Sequence, residues 1–407
     1  MQNNNIPLPK DILEKTKKLA YADLYMKKPN HTQICQSDSD DTDLRDMITK
    51  SAYLFSDEVL KFGGYEEIDF ESIWDLGYKS VQEYKTINTK TPEYSSYAFE
   101  DSGNYYMRSG WESDDNYMYF HCGTLGSGHG HADLLHVSIY ANEEDYLIDP
   151  GRYTYIESDE IREYLKSCSA HNTTTVDNTD FTVIDGSWGY KKVATPIKHP
   201  FITNDNFDYC EGSHLGYIDK GIFTNRKVIY IKPSIWILVD EFYGEGEHEY
   251  KQFFHFANDI YLDDKKTICK GKNGSLILYH LNNLERKIEK TPISYHYNML
   301  EKQDTLITNY KNTGFTSITT VILANNCEND VLIEKIEVKN CNGRLLEDLE
   351  AEAIKISAKD KVYIVLICHN EIFKGKKLLK VDGHDVYGKV VLISDIEGKV
   401  SKEVIKY

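Results

Sequence analysis

The sequence predicts a mainly β protein: an antiparallel β-sandwich preceded by a short α-helical segment and followed by a smaller β-sheet region. Apolar residues keep helical spacing only up to about residue 88, and from about residue 95 they alternate with a period of two. The alternating runs are joined by Gly, Asn and Asp turns rather than by helices of crossover length, which favours sheet packed on sheet over a parallel α/β fold. Aromatic composition points the same way, with 31 Tyr and 15 Phe against 9 Pro. At ~100–200 residues per domain, 407 residues make two or three domains with full cores. The boundaries expected are 1–90 (helical), 91–330 (sandwich) and 331–407 (smaller sheet).

In chain order, residues 11–28 place Ile12, Leu13, Leu19, Ala20 and Leu24 on one helical face, and residues 43–62 repeat the pattern with Leu44, Met47, Ile48, Leu54, Phe55, Val59 and Leu60. Asp40 and Asp41 are N-cap candidates for this second helix and Gly63-Gly64 is its stop, while Asp69 caps a shorter helix holding Ile73, Trp74 and Leu76. Strands are expected at 117–121, 134–140, 145–149, 226–232, 235–240 and 249–256. Beyond 330, Asp382-Gly383 and Glu397-Gly398 mark hairpin turns. No internal repeat or low-complexity tract is present.

Charge narrows the partners. There are 65 Asp and Glu against 47 Lys and Arg, a formal charge of −18, and no block of clustered cations to track phosphates, so nucleic acid is not expected. An acidic polymer needs a local cationic site, which a cleft can provide because exposed charges are screened within ~8–10 Å. The eight Cys form no C-x-x-C pair, which argues against zinc ribbons and dense disulfides. With no apolar leader at the N-terminus and no apolar stretch near the ~18 residues of a membrane span, the expectation is a cytoplasmic protein with no membrane partner.

Chemistry concentrates in Gly126-Ser-Gly-His-Gly-His-Ala-Asp133, Leu147-Ile-Asp-Pro-Gly151, Arg162-Glu-Tyr164 and Ala170-His-Asn-Thr173. In an extended segment His129 and His131 point to the same side, so two imidazoles can converge with a nearby carboxylate. One reading is a metal site of His and Asp, Zn²⁺ best suiting neutral imidazoles plus a carboxylate. The other is a set of cross-strand polar pairs on a wet sheet face. A regular hairpin turning at 142–144 sets Asp149 across from His136 or Val137, short of His131. Either Gly128 and Gly130 let the chain curl back or Asp149 is not a ligand. The glycines at 123, 126, 128 and 130 lack the Gly-Lys-Ser/Thr of a phosphate loop. His121, His136, His214 and His248 show no sequence partner and read as structural or exposed; His255 reads as a sheet histidine.

The segments Tyr106-Met-Arg-Ser109, Gly128-His-Gly-His-Ala-Asp133, Leu147-Ile-Asp-Pro-Gly151, Arg162-x-Tyr164 and Ala170-His-Asn-Thr173, in that order over about 65 residues, resemble the C-terminal β-sandwich of heparinase II/III-type polysaccharide lyases. Arg226, Ile231-Lys-Pro233, Val239-Asp240 and Gln252-Phe-Phe-His255 extend the likeness, which runs from about 95 to 330. In that family an (α/α) toroid precedes the sandwich and the glycan lies between them. Residues 11–85, with Ser37-Asp-Ser-Asp40 in the middle, resemble only the last toroid helices. The resemblance implies that His131, Asp149 and His171 hold a structural Zn²⁺, that His129 faces the substrate, and that Tyr164 and Arg108 assist catalysis.

It further implies β-elimination on an acidic polysaccharide or oligosaccharide containing uronate: the C5 proton leaves, the C4 oxygen departs, and donors must first neutralise the adjacent carboxylate. The family's principal Tyr acid/base and its carboxylate-neutralising Asn or His belong to toroid helices with no counterpart in this sequence; Tyr21 and Tyr25 read as packing residues. The chain alone is therefore expected to have little or no lyase activity. Its expected protein partner is a separate toroid-bearing chain or a second copy of itself. The alternative is a non-catalytic, zinc-stabilised, carbohydrate-binding sandwich, the remnant of a split lyase gene.

Overall fold

Tyrosines hold the helical start onto the first sheet. The structure, a computed structural model, describes residues 9–325, 331–370 and 378–407; Cys327 lies outside the described residues. Strands Tyr97–Phe99, Asn104–Arg108, Tyr117–His121, Val137–Ala141 and Glu144–Leu147 form an antiparallel meander. Side chains alternate across it: Met107, Met118 and Ile139 enter the central core, while Tyr106, Tyr117, Tyr119 and Tyr140 make the opposite face. The helix Lys10–Met26 and the loop after it cover that tyrosine face through Tyr25 and Ile34. Arg108 locks the contact from below, donating to the carbonyls of Tyr25 and Lys27.

The 43–62 run is broken in two, into helices Arg45–Phe55 and Glu58–Gly63. Ser56 turns left-handed (φ 46°), and the Asp57 carboxylate then accepts from Val59 and Leu60 N–H as an N-cap. Hydrophobic periodicity carries through such a break, so the pattern alone does not register it. Asp40 and Asp41 do not cap: Asp43 accepts from the Arg45 N–H, and Asp40 is drawn to the sandwich instead. Asp69 does cap the helix Phe70–Leu76.

Among the described residues the central core lies between the meander, a nine-stranded antiparallel sheet and a four-stranded one. Strands Phe223–Ile231 and Ile235–Tyr243 of the nine-stranded sheet send Val228, Tyr230, Trp236 and Leu238 into this core, and Ile229, Ile231, Ile237 and Val239 into a second core on the other face. That second core is closed by a five-stranded sheet built from residues 331–406, through Ile354, Ile356, Val365 and Leu392. One of its tight turns falls at Glu397-Gly398, and a three-stranded sheet beside it turns at Asp382-Gly383; in each turn both residues take positive φ. No helix among the described residues is long and apolar enough to cross a membrane.

Several buried histidines make the fold acid-sensitive. Burial pushes His136, His214, His255 and His280 down to about 3. Their folded pKa lies below the unfolded ~6.5, so as pH falls through that window the unfolded chain binds protons that the folded chain refuses. His171 and His369 run the other way: burial lowers each, but Asp149, and Glu241 with Glu352, more than reverse it. Their contribution is present below ~6.5 and is lost as pH rises through the raised value. Below ~6.5 the two raised groups are protonated in both states and add no slope, so the depressed ones should make stability fall by at least about 1.4 kcal/mol per pH unit between pH 6 and 4, the worth of a single proton. A denaturant midpoint that stays flat over that range would refute this.

Candidate functional site

The segment between strands Tyr117–His121 and Val137–Ala141 leaves the sheet in a series of bends, so period-two alternation does not apply to it. Leu135 takes φ 64°, which keeps 134–136 out of the strand expected there. Gly130 is required, because a Cβ at this position would stand 1.9 Å from the Leu125 carbonyl oxygen. The bends turn His129 outward, its side chain 61% exposed, and His131 inward, fully buried.

Both imidazoles nevertheless meet one carboxylate. Asp38, from the loop after the first helix, lies 2.6 Å from His129 Nδ1 and 3.1 Å from His131 Nε2, and Arg162 grips the same carboxylate through two N–H groups at 2.9 Å each. Arg162 sits on the short helix Glu160–Lys166, whose N-cap Asp159 accepts from the Arg162 N–H. Burial alone raises the Asp38 pKa, but hydrogen bonds from His131, Arg162 and His129 hold it well below the usual carboxylate range.

A second buried group lies deeper. Asn142 and Glu143 form the two-residue turn of the following hairpin; a bulge between Ile139 and Tyr140 shifts its register so that Leu147 pairs with Ile139, and past that strand Asp149 comes to 3.7 Å from His136 Nε2. Asp149 also lies 3.2 Å from His171 Nδ1, and the donor atoms of His136, Asp149 and His171 all fall within 4.8 Å of one another. The ring of His131 packs against that of His171, centroids 5.5 Å apart. Burial opposes ionisation of Asp149, yet His171, His136 and His131 bring its pKa down to about 2.

Asn172 stitches this group to the sheet. Its amide N–H groups donate to Val137 and Ile148 carbonyls, and its side-chain oxygen accepts from the His255 N–H. Beneath it Arg226 donates to the carbonyls of Leu135 and Asn172 and pairs with Asp240, directly opposite on the neighbouring strand.

The donor chemistry fits a divalent cation. His131 Nδ1 and His171 Nε2 are buried without a hydrogen-bond partner, and a buried lone pair left unmatched is costly. Asp38 takes the other nitrogen of His131, the carboxylate–imidazole arrangement that orients metal-binding histidines. His136 differs: its Nδ1 accepts from the Asn172 N–H, so its Nε2 carries the proton and donates to Ser138 Oγ. That ring, close as it is to Asp149, has no lone pair to offer.

The structure thus sets His129 and His131 on Asp38, His131 in ring contact with His171 and His171 beside Asp149, with His131 outside the donor group of His136, Asp149 and His171, and it leaves two other sequence candidates elsewhere. Arg108 is wholly buried beneath Trp111 and Tyr117 and committed to the helix carbonyls. Tyr164 lies two residues past Arg162 on one helix, hence on nearly the opposite face. Its phenol, pushed up to about 12 by burial, bonds Thr291. Sequence reasoning missed Asp38 and His136. Their partners are up to 124 residues away, and only the Ser-Asp-Ser-Asp cluster at 37–40 signals the first.

Residues 91–334 match the family model described as heparinase II/III-like, C-terminal. The chain is similar to a heparin-sulfate lyase of Pedobacter heparinus, 20% identical over 260 residues, covering 60% of this chain and 38% of that protein. A heparin-sulfate lyase of Bacteroides stercoris is 25% identical over 157 residues, 38% of this chain and 22% of that one. The fold is that of the solved heparan sulfate lyase HepC from Pedobacter heparinus, with a TM-score of 0.71 at 17% identity, covering 90% of this chain and 55% of that chain. The chain therefore spans little more than half the length of the lyase it superposes on.

Proposed function

The chain belongs to the heparinase II/III-like family, and on that premise we propose that it is the sandwich half of a polysaccharide lyase, cleaving uronate-containing glycans by β-elimination with His129 at the reacting ring. The observation that carries this reading is the pairing of an exposed His129 with a buried His131 on one carboxylate, Asp38. Asp38 accepts the hydrogen bond of His129 Nδ1–H and leaves Nε2 facing the glycan. There His129 Nε2 accepts the C5 proton as the C5–H bond breaks and returns it to the departing C4 oxygen as the C4–O bond breaks and the C4=C5 bond forms. Positioned proton transfer of this kind is worth about 10²–10⁴-fold in rate.

His131, Asp149 and His171 would hold Zn²⁺, the ion satisfying the two orphaned imidazole nitrogens and pinning the loop that carries His129. Elimination consumes no water, so a closed structural ion suits the task. A second reading, a sandwich that binds glycan without cleaving it, is favoured by Arg108 being buried and committed to the helix carbonyls, which takes one expected catalytic group away from the substrate.

The test supplies alginate, heparan-type and bacterial exopolysaccharide substrates, with and without a toroid-bearing chain, and follows absorbance of the unsaturated uronate. Product is expected with the toroid-bearing chain present, and there His129→Ala should lower its rate at least a hundredfold, on the order of magnitude for a lost proton shuttle. Binding without product under every condition would favour the second reading. Elemental analysis should find one zinc per chain, lost in His131→Ala; metal content unchanged in that variant would remove His131 from the ligand set.

A further inference from the structure

Three loops bring aromatic rings together beside His129. Tyr155 is central, 5.4 Å from the Trp188 ring and 5.5 Å from that of Tyr297, at interplanar angles of 34° and 37°. His129 stands edge-on to this arc, 5.6 Å from Tyr155 and 5.3 Å from Trp188. The outer rings remain open to solvent, Trp188 at 39% and Tyr297 at 44%. Exposed rings are ordinarily loose, but these are braced. Arg162 lies over Trp188 and Tyr155, Arg152 over Tyr155 and Tyr297, all at 4.8–5.1 Å, and Arg152 also donates to the Tyr155 hydroxyl.

Charge in the arc is already spent. Each guanidinium is held by two hydrogen bonds to a carboxylate, Arg162 to Asp38 and Arg152 to Asp40. What the arc offers a ligand is therefore flat apolar area, fixed in advance, beside a polar imidazole. A prebuilt surface binds at small ordering cost, and an open apolar patch rimmed by polar groups marks a contact surface. A pyranose ring matches it, with a C–H face for the aromatics and hydroxyls at its edge for water.

We infer that Trp188, Tyr155 and Tyr297 form a sugar-stacking subsite that takes an uncharged pyranose of the glycan, next to the uronate held at His129. The placing of the uronate rests on the lyase reading; the stacking subsite rests on the arc itself. With both guanidinium groups paired, the arc favours a neutral or N-acetylated ring over a carboxylated or sulfated one.

The test titrates the full chain calorimetrically with two probes, an unsulfated hexasaccharide of alternating glucuronate and N-acetylglucosamine, and the neutral trisaccharide of N-acetylglucosamine. Wild type should bind both, and Trp188→Ala and Tyr297→Ala should each weaken both at least tenfold. Failure of the neutral probe to bind wild type overturns the inference, as does wild-type affinity in both variants. Should Trp188→Ala melt early, the exposed Tyr297→Ala decides between these outcomes. Unsaturated product formed by the variants with an unchanged KM sinks the subsite and leaves the lyase reading standing; lost binding with no product in any protein does the reverse.

Discussion

Arg226→Met should destabilise the protein by about 3–5 kcal/mol, because it leaves the Asp240 carboxylate buried without its charge partner. Arg226 is 1% exposed and Asp240 2%, so water cannot replace the lost bonds. The guanidinium also accounts for the carbonyls of Leu135 and Asn172, one on each segment that frames the candidate metal group. At about 2–4 °C per kcal/mol for domains of 150–250 residues, and less for a longer chain, the melting temperature should drop on the order of 5–10 °C. The double variant Arg226→Met with Asp240→Leu should recover much of the loss, since a buried pair exchanged for apolar side chains is often near neutral. If the double variant is no more stable than the single one, the buried charge is not the cause.

That pair also shows what the sequence discloses and where it falls silent. Arg226 and Asp240 sit in runs whose alternation is plain, and pairing 223–231 with 235–243 through a short turn sets them opposite each other by arithmetic. The strand Tyr117–His121, the caps at Asp69 and Gly64 and the C-terminal hairpins are legible for the same reason: each is written in a few neighbouring residues. The break at Ser56–Asp57 is not, because apolar spacing survives it. The His-Gly-His run announces a site, but the extended geometry used to aim its side chains fails once the loop bends. The hairpin count keeps Asp149 short of His131, but a bulge between Ile139 and Tyr140 shifts the pairing by one, toward Val137, and His136 is still a close neighbour that its apolar flanks conceal. The role of the chain before residue 45 is the least legible, since its partners lie a hundred residues on.

The loop at 37–41 therefore supplies the sharpest contrast. Asp38→Ala should cost about 3–5 kcal/mol, because the Arg162 side chain it pairs is 0% exposed and has no second carboxylate among the ion pairs of the described residues. Asp40→Ala removes an equally well-made bond to Arg152, but both groups reach water, 17% and 21% exposed, so the loss should be no more than about 1 kcal/mol. Two carboxylates two residues apart thus differ severalfold in worth, for solvent reasons alone. Asp38→Ala carries a further consequence that a surface pair cannot: it frees His131 Nε2 and with it the tautomer that presents Nδ1 to a metal. At the proposed Zn²⁺ site, losing such an outer partner should weaken metal affinity by about 10–100-fold, so zinc competition by a chelator should separate the two variants as cleanly as denaturant does. Equal midpoints for Asp38→Ala and Asp40→Ala would mean that the loop merely lies on the sandwich, and that His129 and His131 find their positions without it.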